Sequence, residues 1–411
     1  MLENAYRRWQ IEAVVRTLKE IRVVLLTGPR QCGKTTLAKT LNVPNQIYKT
    51  LDKRSDLADA LKDPEVFINH GDELLIIDEI QRAPELLLAI KLDVDTNQKY
   101  GRFLITGSTN LRAIPTATES LAGRIGKIRL RPLAQGEIVG TRPNFLKNIF
   151  QSIALQLESK GYEKDDYLSM AIKGGYPEAL LSGNIKRWHK KYISTLLDRD
   201  LEDILNIRRQ GSMQTLIKVL AAWSSKFINM SSISANLAVS RPTLDTYINA
   251  LEALYIVESI EPWTKTDYSR TSRQNKFFMT DSGLMSSMLN WTLDKVRLDG
   301  DLSGKLMETF VFTQLAAIID CQDEDYALTH YRDVENREID FIIENDDGHL
   351  LGIEVKAGGG IGRESFKHLR WFKEHIAKDK PFTGIVLYTG DRVVSFGNGM
   401  WAAPISALWN E

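Results

Sequence analysis

The sequence predicts an α/β protein in which a parallel sheet is followed by a helical middle region and a second α/β domain. Three observations indicate this fold class. A continuous apolar run, Val23 to Leu26, precedes a glycine-rich loop and a helical pattern, as expected of a strand buried on both faces. Two further apolar runs in the first third also end in polar residues. The last hundred or so residues again mix strand-like and helical segments.

The composition is that of an ordinary globular protein, and it limits the classes of function. The 411 residues are enough for about two to four domains. The 53 basic and 53 acidic residues cancel, so a nucleic-acid surface has to be a local patch. The two cysteines provide no disulfide framework and predict a cytoplasmic location. We see no apolar run of about 18 residues and expect no membrane span.

The segment IRVVLLTGPRQCGKTTLAKTL predicts a strand, a phosphate-binding loop and a helix. Gly28 and Gly33 frame the loop, which has the spacing Gly-x-x-x-x-Gly-Lys-Thr. The glycines allow backbone N–H groups to curl around phosphates, and Lys34 is expected to reach the β and γ phosphates of ATP. The Thr35 hydroxyl is a candidate ligand of Mg²⁺. The positive end of the following helix adds to the attraction.

The segment ELLIIDEIQ predicts the strand that completes this site. Asp78 and Glu79 stand at its carboxyl end, where open α/β sheets place their ligands. We expect Asp78 to hold Mg²⁺ through water and Glu79 to act as the general base for the attacking water. The residues expected to contact the nucleotide are Gly28, Pro29, Arg30, Gln31, Cys32, Gly33, Lys34, Thr35, Thr36, Asp78 and Ser108.

Two further polar positions are candidates for sensing or stabilising the γ phosphate. The segment GRFLITGSTN predicts a third buried strand, and Ser108 is favoured over Thr106 and Asn110 as the sensor. Arg124, in SLAGRIGKIRL, is a candidate for stabilising transition-state charge, either within its own chain or across a subunit boundary. An ordinary surface arginine is the alternative.

These residues resemble AAA+-like P-loop ATPases, and more closely a prokaryotic family that joins such an ATPase to a C-terminal region of unknown function, DUF4143. The matching segments are GPRQCGKTT, LLIIDE, ITGS, SLAGR, GGYPEAL, LLDRDL, FFMTDSGL, ETFV, EIDFI and EVKAG. The resemblance extends along the whole chain. It implies ATP binding, hydrolysis and a homo-oligomer, and it does not supply a physiological role.

The middle of the chain predicts helices and then a winged helix. The segment MSSISANLAVSRPTLDTYINALEALYIVESIEPW has the pattern of two helices joined by a tight turn and followed by a strand. A second strand, NKFFMTD, closes a hairpin whose basic residues are candidate nucleic-acid contacts. These residues are Lys265, Arg270, Arg273 and Lys276. A winged helix that only packs between subunits or domains is the alternative, because the second helix offers few base-reading donors.

The last third predicts a helix, three strands, a helix and a strand. Asp340 lies in the second strand of the three, and Glu354 and Lys356 lie two residues apart on one face of the third. This order and these residues resemble the restriction-endonuclease-like fold with its PD-(D/E)xK signature, although Ile339 replaces the usual proline. Glu308 on the preceding helix would complete the carboxylate set.

The resemblance implies a nuclease site in which Glu308, Asp340 and Glu354 bind Mg²⁺ and Lys356 stabilises charge. The alternative is a nuclease-like domain that retains a salt bridge and does not cut. Two functions follow from these alternatives. One is an ATP-driven machine that acts on DNA or RNA, and the other is a nucleotide-dependent switch or scaffold.

Four domains are expected along the chain. They are an ATPase domain at 1–140, a helical lid or linker at 141–210, a winged helix at 211–295 and a restriction-endonuclease-like domain at 296–411.

Overall fold

A computed structural model of the protein describes residues 6–108, 121, 123–151, 161–205, 210–265 and 274–409, with side chains for all of these except 199–205 and 210. The residues form two compact units. The first contains residues 1–133 and 249–256, and the second contains residues 134–248 and 257–411. The second unit thus gathers most of what the sequence divides into three domains, and that finer division stays a prediction.

The first unit is built on a five-stranded parallel sheet. Its strands are β1 (Val23–Thr27), β2 (Gln46–Thr50), β3 (Leu74–Asp78), β4 (Phe103–Gly107) and β5 (Ile125–Arg129). Its helices are α1 (Gln10–Glu20), α2 (Lys34–Thr40), α3 (Arg54–Lys62), α4 (Pro64–Ile68) and α5 (Leu86–Thr96). The strand order is β2-β3-β4-β1-β5. This sheet confirms the α/β prediction and brings the ends of β1, β3 and β4 together.

The sheet separates two hydrophobic cores. Alternate residues of a strand point to opposite faces, so Val23 and Leu25 enter one core while Val24 and Leu26 enter the other. The first core includes residues of α4 and α5, and the second includes residues of α1 and α2. Burial on both faces explains why β1, β3 and β4 are mostly continuous apolar runs.

The rest of the chain begins with helices. They are α6 (Gln135–Val139), α7 (Phe145–Phe150), α8 (Lys164–Lys173), α9 (Pro177–Leu181), α10 (Ile185–Leu205), α11 (Gln210–Ala222), α12 (Met230–Asn236), α13 (Arg241–Ala253), α14 (Ser282–Met288), α15 (Leu293–Leu298), α16 (Gly300–Ile319) and α17 (Lys367–His375). Helices α12 and α13 are the two that the sequence predicts for a winged helix. The carboxylate of Asp281 caps α14 by accepting from the Leu284 N–H.

Two sheets complete the second unit. A small antiparallel sheet has the order β6-β8-β7, with β6 (Lys226–Phe227), β7 (Val257–Ile260) and β8 (Lys276–Met279). A mixed sheet has the order β13-β14-β12-β11-β10-β9. Its strands are β9 (Tyr326–Arg332), β10 (Glu338–Asn345), β11 (Leu350–Lys356), β12 (Phe382–Tyr388), β13 (Val394–Gly397) and β14 (Met400–Pro404).

The mixed sheet contains the predicted meander. Strands β9, β10 and β11 are antiparallel neighbours, and β12 then lies parallel to β11. The C-terminal mixed-sheet domain is therefore present, while its assignment to the endonuclease-like fold stays a prediction.

Helix α16 is the most apolar long helix of the described chain. By length and composition alone it could cross a membrane, but 72% of its most apolar 18-residue stretch is buried inside the protein. Core helices of globular proteins meet the same criteria, so this is weak support for a membrane span.

Candidate functional site

The phosphate-binding loop links β1 to α2 in a conformation that requires glycine. Gly28 has φ +146°, and a Cβ atom there would lie 2.0 Å from the carbonyl oxygen of Leu130. Arg8, which the sequence analysis missed, fastens the loop from outside by donating to the carbonyl oxygens of Cys32 and Arg131, both at 2.7 Å. The Arg8 side chain thus links the loop to the segment that follows β5.

The Lys34 side chain lies inside the loop rather than in solvent. It is 4% exposed. Its ammonium donates to the carbonyl oxygens of Gly28 at 2.9 Å and Pro29 at 2.8 Å. These partners are neutral, whereas phosphate oxygens carry charge and form stronger hydrogen bonds with an ammonium. A bound phosphate therefore competes well for this group.

Asp78 is surrounded by three hydroxyl donors. Its carboxylate accepts from Thr35 at 2.9 Å, from Tyr48 at 2.8 Å and from Thr106 at 2.5 Å. Burial and the Asp78 carboxylate raise the pKa of Tyr48 above its usual range. Tyr48 was missed by sequence reasoning, although β2 is the parallel neighbour of β3. The contact between Thr35 and Asp78 places both proposed Mg²⁺ ligands together.

Glu79 lies just beyond β3 in a strained backbone conformation. Its φ is +62°, which is uncommon outside glycine. The Glu79 N–H donates to Thr106 at 3.2 Å, and the carboxylate accepts from Ser108 at 3.4 Å. Gln81, a second missed residue, donates to the same Glu79 oxygen and to Ser108. These contacts hold the carboxylate at the sheet edge that carries the phosphate-binding loop.

Arg124 lies at the opposite edge of the sheet. It immediately precedes β5, whose first residue pairs with Val23 at the start of β1. A five-residue strand spans roughly 17 Å, so Arg124 is separated from the phosphate-binding loop by the length of β1. Its guanidinium forms an ion pair with Asp95. The catalytic role of Arg124, within its own chain or across a subunit boundary, stays a prediction.

The C-terminal candidate residues lie close together at the ends of β10 and β11. The register between β9 and β10 shifts between Ile339 and Ile342, next to Asp340, and such irregularities redirect side chains. Asp340 accepts a hydrogen bond from the Val355 N–H at 2.8 Å. On the same strand as Val355, Lys356 contacts Glu354 at 3.4 Å.

Lys276 occupies the centre of this carboxylate group. Its side chain is 0% exposed, and its ammonium lies 2.5 Å from Glu308, 2.7 Å from Glu338 and 3.4 Å from Asp340. The prediction that Lys276 contacts nucleic acid from an exposed wing is wrong, because its charge is buried among carboxylates. Phe278, two residues along β8, is also buried, so strand alternation was the signal that could have revealed it.

The electrostatics of the cluster show competing effects. Burial lowers the pKa of Lys276, but the charges of Glu308, Asp340 and Glu338 outweigh it and raise the pKa above the usual range. Burial, followed by the charge of Asp340, raises the pKa of Glu308 to about 7. The same two causes raise the pKa of Glu354 well above its usual value. Burial and the charge of Asp340 therefore both favour the protonated form of these two carboxyl groups.

Of the other three proposed nucleic-acid contacts, the structure describes only Lys265. Lys265 is exposed. Arg270 and Arg273 lie outside the described residues. The role of these three stays a prediction.

Two of the family segments without an assigned chemistry contact each other. In GGYPEAL, the Gly175 N–H donates to the Asp281 carboxylate at 2.7 Å, and Asp281 belongs to FFMTDSGL. A Cβ atom on Gly174 would lie 2.4 Å from the same carboxylate. The buried His189 approaches Asp281 at 3.8 Å. This arrangement gives both segments a structural purpose.

Three family models match successive parts of the chain. A model described as an AAA domain matches residues 20–139, and a domain of unknown function, DUF8612, matches residues 164–295. A second domain of unknown function, DUF4143, matches residues 303–408. The chain thus combines a match to an AAA domain with a match to DUF4143, which supports the AAA+-like ATPase/DUF4143 family expected from the sequence. Its first third is an AAA-type ATPase domain.

Similar proteins carry little functional information. Uncharacterized proteins of Mycobacterium bovis and Mycobacterium tuberculosis are each 29% identical over 346 residues, which are 83% of this chain and 71% of each relative. Among solved structures, the RuvB branch migration motor of Thermotoga maritima is 18% identical, with 62% of this chain and 89% of RuvB covered and a TM-score of 0.27. AMPPCP-bound DnaA of Aquifex aeolicus is 15% identical, with coverages of 61% and 91% and a TM-score of 0.30. At these TM-scores the likeness supports no statement about function.

Proposed function

We propose that this AAA-type ATPase hydrolyses ATP as a homo-oligomer and acts on nucleic acid, with a Mg²⁺-dependent nuclease centre in its C-terminal domain. The observation that carries the ATPase proposal is the arrangement at one edge of the parallel sheet. Lys34 lies inside the phosphate-binding loop, Asp78 contacts Thr35, and Glu79 is held by Gln81 and Ser108. These groups are the ones that phosphoryl transfer to water uses for binding phosphate, holding Mg²⁺ and orienting the attacking water.

Each side chain has a distinct part in this proposal. Lys34 exchanges its two carbonyl partners for β and γ phosphate oxygens. Thr35 and Asp78 are the groups that would hold Mg²⁺, which neutralises phosphate charge when bound. Glu79 orients the attacking water and accepts its proton. Ser108, which contacts the Glu79 carboxylate, couples the γ phosphate to this base.

Replacing the general base separates binding from hydrolysis. We expect Glu79→Gln to bind ATP with an affinity within about threefold of wild type, because Lys34 and the loop are unchanged. Its turnover should fall by about 10²–10⁴-fold, the usual contribution of a general base. The matched control is Glu65→Gln, on the exposed side of α4. Isothermal titration and phosphate release measure the two effects, and wild-type turnover in Glu79→Gln would refute the assignment.

Arg124 is proposed to act on the nucleotide of a neighbouring subunit, a role supported by its place before β5, at the far end of β1 from the phosphate-binding loop of its own chain. Lys34→Ala and Arg124→Ala proteins should each be inactive alone. A mixture should regain activity, because a subunit with intact Lys34 then faces a neighbour with intact Arg124. A mixture that stays inactive, although sedimentation shows mixed oligomers, contradicts action across subunits.

The nuclease centre is proposed from the donor set in the C-terminal domain. Glu308, Glu338 and Asp340 each offer an oxygen within 4.8 Å of the others, and Glu354 lies close enough for Asp340 to raise its pKa. Carboxylate oxygens are the ligands that a hard cation prefers. One positive charge, the Lys276 ammonium, already lies among the three carboxylates. Bound Mg²⁺ would activate water and screen the phosphodiester. Lys356, which contacts Glu354, would stabilise developing charge.

A paired cleavage assay tests this centre. Wild type and Glu354→Ala are incubated with single- and double-stranded DNA and RNA in Mg²⁺ or Mn²⁺. We expect wild type to cut at least one substrate and Glu354→Ala to cut at least 100-fold more slowly. Equal cutting, or none by either protein, favours the second function, a nucleotide-dependent switch whose C-terminal domain does not cut. The buried ion network of Lys276 supports that alternative, because it also suits a purely structural role.

A further inference from the structure

The carboxylate pocket of the second unit draws its charges from four different elements. Glu308 comes from α16, Glu338 and Asp340 from β10, Glu354 from β11 and Lys276 from β8. Lys276 belongs to the region upstream of the C-terminal domain, so the pocket forms only when the two regions pack together.

The ammonium of Lys276 defines one cation position. It lies within 3.4 Å of three carboxylates, and its side chain is fully buried. Strand β8 is the central strand of its small sheet and is held by hydrogen bonds on both sides. The backbone of Lys276 is therefore fixed, and its ammonium remains in the pocket.

A second position lies beside Glu354. This side chain is 8% exposed, and its Oε1 atom has no hydrogen-bond partner within the described part of the chain. Its other oxygen contacts Lys356 only at 3.4 Å. A buried carboxylate oxygen without a donor is costly. Glu354 is next to Asp340 in the structure, because the N–H of the following residue, Val355, donates to the Asp340 carboxylate at 2.8 Å.

The charges of the pocket indicate how many ions it takes. Four carboxylates, from Glu308, Glu338, Asp340 and Glu354, are in direct contact with two ammonium groups, from Lys276 and Lys356, and the charge of Lys226 also acts on Glu308. Among the groups in direct contact, two positive charges are missing when all carboxylates are ionised. One divalent cation supplies them while Lys276 stays in place, whereas a second would lie against the ammonium and be repelled.

We propose that this pocket is a mixed cation site, in which Lys276 permanently holds one position and a single divalent cation binds at Glu354 and Asp340. The inference rests on the metal centre of the proposed function and deepens it. In this proposal Glu338 contacts only the Lys276 ammonium, and Glu354 binds only the divalent cation. Lys276 is a positioning residue that takes the place of a second ion and limits the centre to one.

Counting bound Mn²⁺ tests this assignment without relying on cleavage. The full chain is used in an Asp78→Asn background, which removes the metal-binding carboxylate of the nucleotide site. Electron paramagnetic resonance of free Mn²⁺ and isothermal titration then give the stoichiometry and affinity. We expect one ion per chain. Glu354→Gln should weaken binding at least tenfold, while the matched variant Glu338→Gln should change it less than threefold.

Removing the ammonium provides the second part of the test. Lys276→Met keeps the length of the side chain and should bind two Mn²⁺ ions per chain, whereas Lys265→Met should still bind one. If Lys276→Met does not fold, the Lys276→Met/Glu308→Gln double variant, which loses one charge of each sign, is compared with Glu308→Gln. The double variant should bind Mn²⁺ at least tenfold more tightly than the single one.

The outcomes separate this inference from the function on which it rests. Binding of one ion that Glu338→Gln and Glu354→Gln weaken equally overturns the mixed site and leaves a metal centre in place. If the Lys276 substitution changes neither the number of bound Mn²⁺ ions nor their affinity, the mixed site is likewise overturned and a metal centre remains. Absence of Mn²⁺ binding to the Asp78→Asn protein overturns both the mixed site and the proposed nuclease centre.

Discussion

Two buried lysines in this molecule have opposite kinds of partner. Lys34 is 4% exposed and donates to neutral carbonyl oxygens of its own loop. Lys276 is 0% exposed and lies among three carboxylates from other elements. The first ammonium has charge available for an incoming anion, whereas the second is already neutralised and contributes to packing. A buried lysine therefore indicates ligand binding only when its partners are weaker than the ligand.

The largest expected effect is on the stability of the carboxylate pocket. Lys276→Met should lower the free energy of unfolding of the second unit by about 3–5 kcal/mol, because it leaves buried carboxylates without a counter-charge. Urea denaturation followed by tryptophan fluorescence measures this, with Lys265→Met as the exposed control. If the free energy of unfolding fell by less than about 1 kcal/mol, the stability of the pocket would not depend on the Lys276 ammonium. Lys276 and Lys34 would then not differ in their contribution to stability.

Lys34→Ala should weaken ATP binding strongly and change the stability of the protein little. ATP affinity should fall about 100-fold or more, since charge-assisted hydrogen bonds to two phosphates are lost. The urea midpoint should stay close to that of wild type, because only neutral carbonyl partners are left behind. Calorimetric titration with ATP measures the affinity, and Lys62→Ala at the exposed end of α3 is the control. Retained ATP binding would show that the loop does not need this ammonium.

Gly28→Ala tests how rigidly the loop is held around Lys34. The new methyl group would meet the Leu130 carbonyl, and alanine rarely adopts φ +146°. We expect a loss of about 1–3 kcal/mol in stability together with weaker ATP binding. Gly358→Ala, where a Cβ atom has open space, should leave both quantities unchanged. Thermal melting with and without ATP distinguishes the two variants, and equal melting would show that the loop relaxes freely.

The smallest effect is expected at the rim of the carboxylate pocket. The Lys356 side chain is 44% exposed and touches Glu354 at 3.4 Å. Such an ion pair contributes about 0–1 kcal/mol, so Lys356→Met should shift the urea midpoint far less than Lys276→Met. An equal shift would show that exposure does not distinguish the two lysines.

The nucleotide site was more predictable than the carboxylate pocket. Gly28 to Thr35 is one contiguous segment, so its residue types and spacing reveal the loop without knowledge of tertiary structure. Tyr48 and Gln81 were missed because a tyrosine or glutamine near a strand end has many ordinary roles. Their contacts depend on which strands are neighbours.

The pocket was only partly predictable because its members come from distant elements. Asp340, Glu354 and Lys356 follow from strand order and alternation. Lys276 was placed on an exposed wing because basic residues surround it in the sequence, although the alternation with Phe278 indicates burial. Glu338 shares the period-two face of Asp340 and could have been included. No local sequence pattern indicates that β8, which carries Lys276, lies next to β10, which carries Glu338 and Asp340.

The contact between Gly175 and Asp281 has a consequence for synthesis of the chain. The two residues are 106 positions apart, and bacterial-type translation at 5–20 residues per second separates their emergence by about 5–20 s. During that interval α8 to α10 exist without the carboxylate that caps α14 and accepts from Gly175. The contact that joins the two family segments therefore forms only after 106 further residues have been made, which makes it a late, non-local step in the folding of the second unit.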